Sequence, residues 1–225
     1  MSFPFTIVGF DLDGTFLDTS GDLAHALNHA LADVGRAPLT VDQVRPMVGG
    51  GARHMLAQAL AATGGCSDEE LARLTGVLIA YYEGNIAVET RPFAGAVAAL
   101  DALDGMGVTT AIVTNKYERL ARAVLGELGL LDRFATVIGG DTLAKGKPDP
   151  MPIHEMIRRC GGGRAAFVGD SIYDTAAARA AGVPSVACSF GFLMQPVREL
   201  GADAVIDGFD ELIPALERIG AQHRL

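Results

Sequence analysis

Short apolar runs alternating with helix-patterned segments constrain this chain more than any other feature of its sequence. The first run, Phe5-Thr6-Ile7-Val8-Gly9-Phe10, is rich in β-branched and aromatic residues and has no polar alternation. That is the pattern of a strand buried on both faces, as in a parallel sheet. Runs of the same kind recur at 109–113, 136–138, 165–168 and 185–188. Between the runs, Val97, Leu100 and Leu103 share one helical face, and Leu120, Val124 and Leu128 share another, with Gly129 placed to stop the second helix. Strands alternating with helices imply βαβ units with right-handed crossovers. The expected class is therefore α/β, with a doubly wound, mostly parallel, Rossmann-like sheet.

The interval from Phe16 to Arg91 breaks this rhythm and reads as helices only. Thr19-x-x-Asp22, Thr40-x-x-Gln43 and Ser67-x-x-Glu70 each have the form of a capping box before an apolar-periodic run. The expected organisation is an α/β core formed by 1–15 plus 92–225, with an inserted α-helical cap domain at 16–91. The linkers fall near 16–20 and 90–95, where Pro92 and Gly95 punctuate the chain. A chain of 225 residues can carry one medium and one small domain. At this size roughly 70% or more of the unfolded surface can be buried.

Charge narrows the partners. The formal net charge is −9, and the only lysines are Lys116, Lys145 and Lys147, all in the second half. Nucleic-acid affinity rests on clustered Lys and Arg, so no nucleic-acid partner is expected. Cys66, Cys160 and Cys188 are odd in number and widely spaced, which suits a reducing compartment rather than a disulfide framework. Met1-Ser2-Phe3-Pro4-Phe5 lacks the basic start of a signal peptide. No stretch approaches the ~20 apolar residues of a membrane span. A cytoplasmic protein with no membrane partner is expected; the oligomeric state is left open.

Chemistry enters directly after the first strand, at Asp11-Leu12-Asp13-Gly14-Thr15. Ligands of open α/β sheets sit beyond the carboxyl ends of the strands, which is where this segment falls. Two carboxylates two residues apart can divide attack and proton transfer between them if their environments differ. The bland alternative is an ordinary Asp-Gly turn. Other strand ends add compatible groups. Thr114-Asn115 offers a hydroxyl and backbone N–H groups for phosphate oxygens, and Lys147-Pro148-Asp149-Pro150 offers a fixed cation. Gly169-Asp170-Ser171-x-x-Asp174 supplies hard oxygen ligands suited to Mg²⁺. Singly each is weak, since Thr-Asn can be a helix cap and Gly-Asp a turn. Taken in this order and at these positions, they describe one anionic metal site with a phosphate cradle.

This series resembles the four motifs of the haloacid dehalogenase-like hydrolase superfamily, over nearly the whole chain. True dehalogenases of that family lack the second aspartate of the first motif, so Asp13 implies phosphate chemistry. A closer similarity is to phosphoglycolate phosphatases. It is carried by Asp22-Leu-Ala-His-Ala-Leu-Asn28-His-Ala-Leu31, Val48-Gly49-Gly50-Gly51-Ala52-Arg53, Tyr81-Tyr82-Glu83 and Arg91-Pro92-Phe93-Ala-Gly95. Phosphatases of sugar phosphates, nucleotides and pyrophosphate share some of these segments.

The resemblance implies a Mg²⁺-dependent phosphomonoester hydrolase acting on a small-molecule phosphate ester, with 2-phosphoglycolate first among candidates. Asp11 would attack phosphorus to form an aspartyl-phosphate, and Asp13 would protonate the leaving oxygen and then activate water. Metal ligands would be Asp11, the backbone carbonyl of Asp13, and Asp170. Thr114, Asn115 and Lys147 would hold the phosphoryl oxygens. Asp174 would either reach the metal through water or orient Lys147, and Lys145 is a rival for the cation role. Arg53, beside cap glycines that permit close backbone approach, is the candidate for contacting substrate beyond phosphate.

Other features have plainer readings. His25 and His29 stand at i, i+4 without an H-E-x-x-H pattern and are expected to be partly exposed. Gly161-Gly162-Gly163 reads as a loop, and Lys116 as a residue facing solvent. A β-phosphoglucomutase-like phosphomutase remains the main alternative. Phosphonate hydrolysis would need a cap lysine, and none precedes Lys116.

Overall fold

In the computed structural model, which describes residues 3–222, the first apolar run forms strand β1 (Ile7–Phe10), buried along its whole length. Met1 and Ser2, which open the segment expected not to be a signal peptide, lie outside the described residues. The chain then enters the helical segment through β2 (Leu17–Asp18) and leaves it through β3 (Arg91–Pro92). These two strands pair antiparallel, Leu17 opposite Pro92 and Asp18 opposite Arg91. The interval expected to be purely helical is thus strand at both edges. Two chain crossings side by side satisfy their backbone groups by pairing with each other.

Between them lie α1 (Ser20–Ala32), the short α2 (Val41–Val44), α3 (Ala52–Ala62) and α4 (Asp68–Gly84). Leu23, Leu27 and Leu31 of α1 pack with Met55, Leu56 and Leu60 of α3 and with Leu74, Leu78 and Tyr82 of α4. Leu23, Leu27 and Leu31, then Leu56 and Leu60, then Leu74, Leu78 and Tyr82 follow at spacings of four and so line single faces, with Met55 beside Leu56. The three capping patterns resolve differently. Thr40 and Gln43 form the full reciprocal box, and Ser67 accepts from the Glu70 N–H at 3.1 Å. Thr19 makes no cap bond. Its hydroxyl donates instead to Asp13, while Asp22 accepts from the N–H groups of Glu89 and Thr90. Buried carboxylates demand donors more strongly than a helix end that water can reach.

The α/β portion continues through α5 (Ala96–Gly105), β4 (Thr109–Val113), α6 (Glu118–Glu127) and β5 (Thr136–Ile138). It then runs through α7 (Met151–Arg159), β6 (Ala165–Gly169), α8 (Ile172–Ala180), β7 (Ser185–Cys188), β8 (Ala204–Ile206) and α9 (Leu212–Gln222). Gly129 follows α6 with φ of 67°, the left-handed conformation expected just past a helix end. The six-stranded sheet runs β5-β4-β1-β6-β7-β8, with every neighbouring pair parallel. Strand residues alternate between two cores. Val8, Phe10, Ile112 and Val168 face a layer containing α5, α6 and α9; Ile7, Ala111, Val113 and Phe167 face α7 and α8. Both faces are covered, which is why the strands read as continuous apolar runs.

The chain builds outward from β1 in one direction through β4 and β5, then returns to the other side of β1 with β6. That reversal leaves a crevice beyond the carboxyl ends of β1 and β6, the position at which sheets of this type bind ligands. Among the described residues no helix is long and apolar enough to cross a membrane. All three cysteines are free.

Candidate active site

A cavity of about 330 Å³ opens above the carboxyl ends of β1 and β4, between the sheet and the helical layer. Its sheet side carries Asp11, Asp13, Thr114, Asn115, Lys116 and Lys147. Gly14 shapes the turn that makes this possible. Its φ is +81°, and a Cβ there would come within 2.4 Å of an Asp170 carboxylate oxygen. Only glycine brings the loop after β1 this close to the loop after β6.

Asp11, Asp170 and Asp174 are all buried, and each offers an oxygen within 4.8 Å of the others. Lys147 faces this group: its Nζ lies 2.6 Å from Asp174 Oδ1, 2.9 Å from Asp11 Oδ1 and 2.7 Å from the Val113 carbonyl. The ammonium forms hydrogen bonds to Val113 and Asp174, whereas Asp11 Oδ1 is buried without one. Burial pushes the Asp11 carboxyl up to about 6, Lys147 opposes the shift, and Asp174 adds to it. Burial also raises Asp170 well above the usual carboxylate range, with Asp174 and Asp11 reinforcing the effect. Three crowded, desolvated carboxylates share one ammonium and so are short of positive charge, and hard oxygen donors suit a small divalent cation.

The two remaining carboxylates of the group are oriented by neighbours. Asp170 accepts from the Thr15 hydroxyl at 2.8 Å and from the Phe192 N–H at 2.6 Å. Asp174 Oδ2 accepts from the Asp170 and Ser171 N–H groups and from the Ser171 hydroxyl, while its Oδ1 accepts from Lys147. Both Asp174 oxygens are therefore engaged within the protein. Although Asp174 belongs to the geometric triad, this bonding fits a residue that holds Lys147 and the loop after β6. Lys145, the sequence rival of Lys147, instead pairs with Asp149 at the surface.

Asp13 stands apart from this cluster. Its Oδ1 accepts from the Thr19 hydroxyl at 2.8 Å, and Lys116 Nζ reaches both of its oxygens at 2.8 and 2.9 Å. Lys116, expected at the surface, is buried here over the Tyr82 ring, 4.5 Å from its centroid. A long side chain turns inward when an anion and an aromatic face replace its hydration. Burial on its own depresses the Lys116 pKa, but the Asp13 carboxylate more than reverses this, so the group stays an ammonium. Lys147 is held charged in the same way, burial being outweighed by Asp11 and Asp174.

Asn115 is expected among the groups that hold phosphate; its side chain donates to the carbonyls of Gly49 and Lys147 at 3.0 Å each. Its amide protons are thereby committed, and what it can offer a phosphate is its backbone N–H. Thr114 lines the cavity, its hydroxyl accepting from the Lys116 N–H at 3.2 Å. Across the cavity, Gly49 and Gly51 have φ of +119° and +88°. A Cβ on Gly51 would stand 3.1 Å from the Asn115 carbonyl oxygen, so this loop can approach the sheet closely only as glycine. Arg53 lines the wall, but its half-exposed guanidinium faces Asp68 at 3.6 Å. His54 meets the Tyr173 hydroxyl at 3.3 Å, and Arg119 pairs with Glu83, so the helical layer and the sheet are tied on two sides.

The paired histidines do not form a site: His25 pairs with Glu89, and His29 stacks on Tyr81 with ring centroids 4.4 Å apart. Sequence reasoning missed Lys116, Tyr82, Thr19 and Thr15 as contributors. The available signal for Lys116 was its place directly after Thr114-Asn115, in the same strand-end turn.

Known proteins share this chain's sequence pattern and fold. The family model described as haloacid dehalogenase-like hydrolase matches residues 8–188. The chain is 44% identical over 210 residues to a phosphoglycolate phosphatase of Agrobacterium fabrum, covering 92% of this chain and 90% of that protein. It is 43% identical over 205 residues to a phosphoglycolate phosphatase of Caulobacter vibrioides, with 90% and 86% covered. Among solved structures it resembles a predicted phosphoglycolate phosphatase from Haemophilus somnus. That match has a TM-score of 0.88 and 28% identity, and covers 94% of this chain and 97% of the other.

Proposed function

The chain belongs to the haloacid dehalogenase-like hydrolases and is a phosphatase, and from that premise we propose that it hydrolyses 2-phosphoglycolate through a phosphorylated Asp11. The observation that carries the reading is Asp11, buried at the cavity floor beside the Lys147 ammonium, with Asp170 close enough to share a cation with it. Similarity to phosphoglycolate phosphatases supports the choice of substrate.

The steps follow from the side chains. Asp11 attacks phosphorus in line, and the ester bond to the leaving oxygen breaks as the Asp11–phosphorus bond forms. Lys147, fixed by Asp174 and Val113, lies beside the transferring group and balances its charge. The Thr114 hydroxyl and the backbone N–H groups after β4 hold the remaining phosphoryl oxygens. Asp13 donates a proton to the leaving glycolate oxygen, then accepts one from the water that hydrolyses the intermediate. Asp11, Asp170 and the backbone carbonyl of Asp13 would hold Mg²⁺. That ion would supply positive charge so that an anionic nucleophile can approach an anionic ester. The helical segment 16–91 acts as a cap, whose Gly49–Gly51 loop closes one wall of the cavity and excludes water.

The test is a phosphate-release assay across 2-phosphoglycolate, sugar phosphates, nucleotides and pyrophosphate, with Mg²⁺ present. The highest kcat/KM is expected for 2-phosphoglycolate. Preferential release from a sugar phosphate or nucleotide would overturn the substrate, and isomerised sugar phosphate without free phosphate would favour a mutase.

A further inference from the structure

Lys116 has no role in the chemistry described above, yet it is a buried cation on the sheet side of the cavity, facing Tyr82 of the helical layer. Its Nζ engages both oxygens of Asp13, so the carboxylate that must deliver a proton to the leaving oxygen is held as a double acceptor. Beside it, the Tyr82 hydroxyl is buried at the cavity wall without a well-formed hydrogen bond. Buried donors left unsatisfied are costly, and both groups lie where a ligand would enter.

The substrate chemistry limits where its second charge can go. In a phosphorylated 2-hydroxy acid, the carboxylate carbon is two bonds from the oxygen that leaves phosphorus. Whatever reads that carboxylate must therefore stand next to the group that protonates the leaving oxygen. Lys116 is in contact with Asp13. Arg53 faces Asp68 instead, with its guanidinium half exposed.

We propose that Lys116 and the Tyr82 hydroxyl form the subsite for the substrate carboxylate, and that this carboxylate draws Lys116 away from Asp13. The subsite rests on the phosphoglycolate reading for its role in turnover, but not for ligand binding. One anion replaces another on the ammonium, so Lys116 keeps a counter-charge throughout the exchange. Tyr82 gains an acceptor for its hydroxyl. Asp13 keeps its bond from Thr19 and becomes free to turn one oxygen toward the leaving group. Esters without a carboxylate leave Lys116 on Asp13, so the same contact selects substrates and arms the acid.

The experiment compares 2-phosphoglycolate with ethyl phosphate, which keeps the alkyl ester and lacks the carboxylate. For Lys116→Met, the ratio of kcat/KM values between the two should fall at least about 30-fold, as expected when a buried charged contact is lost. For Tyr82→Phe, which removes only a hydroxyl, the ratio should fall about 5- to 10-fold. A ratio unchanged in both variants would overturn the proposal and leave Lys116 as a counter-charge for Asp13. Calorimetry supplies a readout independent of turnover and of any folding defect in one variant. Phosphonoacetate should bind the wild-type protein at least about 10-fold more tightly than methylphosphonate, and Tyr82→Phe should narrow that gap. Equal binding of the two ligands by the wild-type protein would also overturn the subsite. If the wild-type protein discriminates between them yet does not hydrolyse 2-phosphoglycolate, the subsite stands and the assigned substrate fails.

Discussion

The two walls of the cavity are made of different materials. The sheet side presents two aspartates, two lysines and a threonine at strand ends whose backbones belong to a six-stranded sheet. The helical side presents Leu23, Val48, Gly49 to Ala52, Met55, Leu78 and Tyr82, with Arg53 as its charged member. Groups that attack or transfer protons must be held closely in place, and strand ends on a covered sheet do this better than a helical layer on two linkers. Apolar surface and glycine backbone suit an opposite wall that, in the proposed function, closes over the substrate. Chemistry and enclosure should therefore separate under substitution.

The sharpest separation is expected from Asp11→Asn. The side chain keeps its shape and loses its nucleophilicity, so kcat should fall by at least about 10³-fold while circular dichroism and thermal unfolding stay near wild type. A folded variant retaining a tenth of the activity would break the division at its strongest point. On the opposite wall, Leu27→Ala removes a fully buried side chain from the helical layer. It should cost about 3 kcal/mol in denaturant unfolding and change kcat on a small aryl phosphate less than about 5-fold. A loss of kcat as large as that of Asp11→Asn would show that the layer takes part in the chemical step.

A pH experiment isolates the sheet side. Burial raises the Asp11 carboxyl from 3.8 to about 6, so the folded metal-free protein holds that proton more tightly than the unfolded chain does. The resulting contribution to stability is complete below the unfolded value and is lost as pH rises through the folded one. The raised Asp170 extends the loss to higher pH. The Tm of EDTA-treated protein should therefore fall between about pH 4 and 7. Added Mg²⁺, which favours the ionised carboxylates, should raise Tm more at pH 7 than at pH 5. A Mg²⁺ shift that is the same at both pH values would contradict the assignment of the crowded carboxylates to the metal. The smallest effect is expected from Arg53→Ala. Its pair with the fully exposed Asp68 is screened by solvent, and selectivity between 2-phosphoglycolate and ethyl phosphate should change less than about 3-fold.

The same contrast governs what the sequence revealed. Strands buried on two faces leave apolar runs that no helix period explains, so five of the six sheet strands were legible. β8 escaped: unlike the equally short β5 it is not buried along its length, Val205 being exposed, and it has aspartates on both sides. β2 and β3 escaped because two residues make no pattern. Asp11, Thr114 and Asp170 stood out because each follows directly on a strand, whereas Asp13 and Lys147 lie farther along the loops after β1 and β5 and were picked out by their motif context. Lys116 was not, although it sits in the same turn as Thr114. A lysine near a strand end is ordinarily solvated, and its burial here depends on Asp13, 103 positions away, and on the Tyr82 ring. The commitment of the Asn115 side chain was not legible either, because local sequence does not show that the Gly49 and Lys147 carbonyls converge on it.

The central claim is that Asp11, on the sheet side, becomes covalently phosphorylated, and acyl-phosphate trapping tests it most directly. Protein mixed with 2-phosphoglycolate and Mg²⁺ is quenched in acid within the first turnovers, reduced with borohydride and mapped by mass spectrometry. The account predicts conversion of residue 11 to homoserine, dependent on substrate and absent from Asp11→Asn. Release of phosphate with no reduction product at residue 11, or with the product at residue 13, would contradict it.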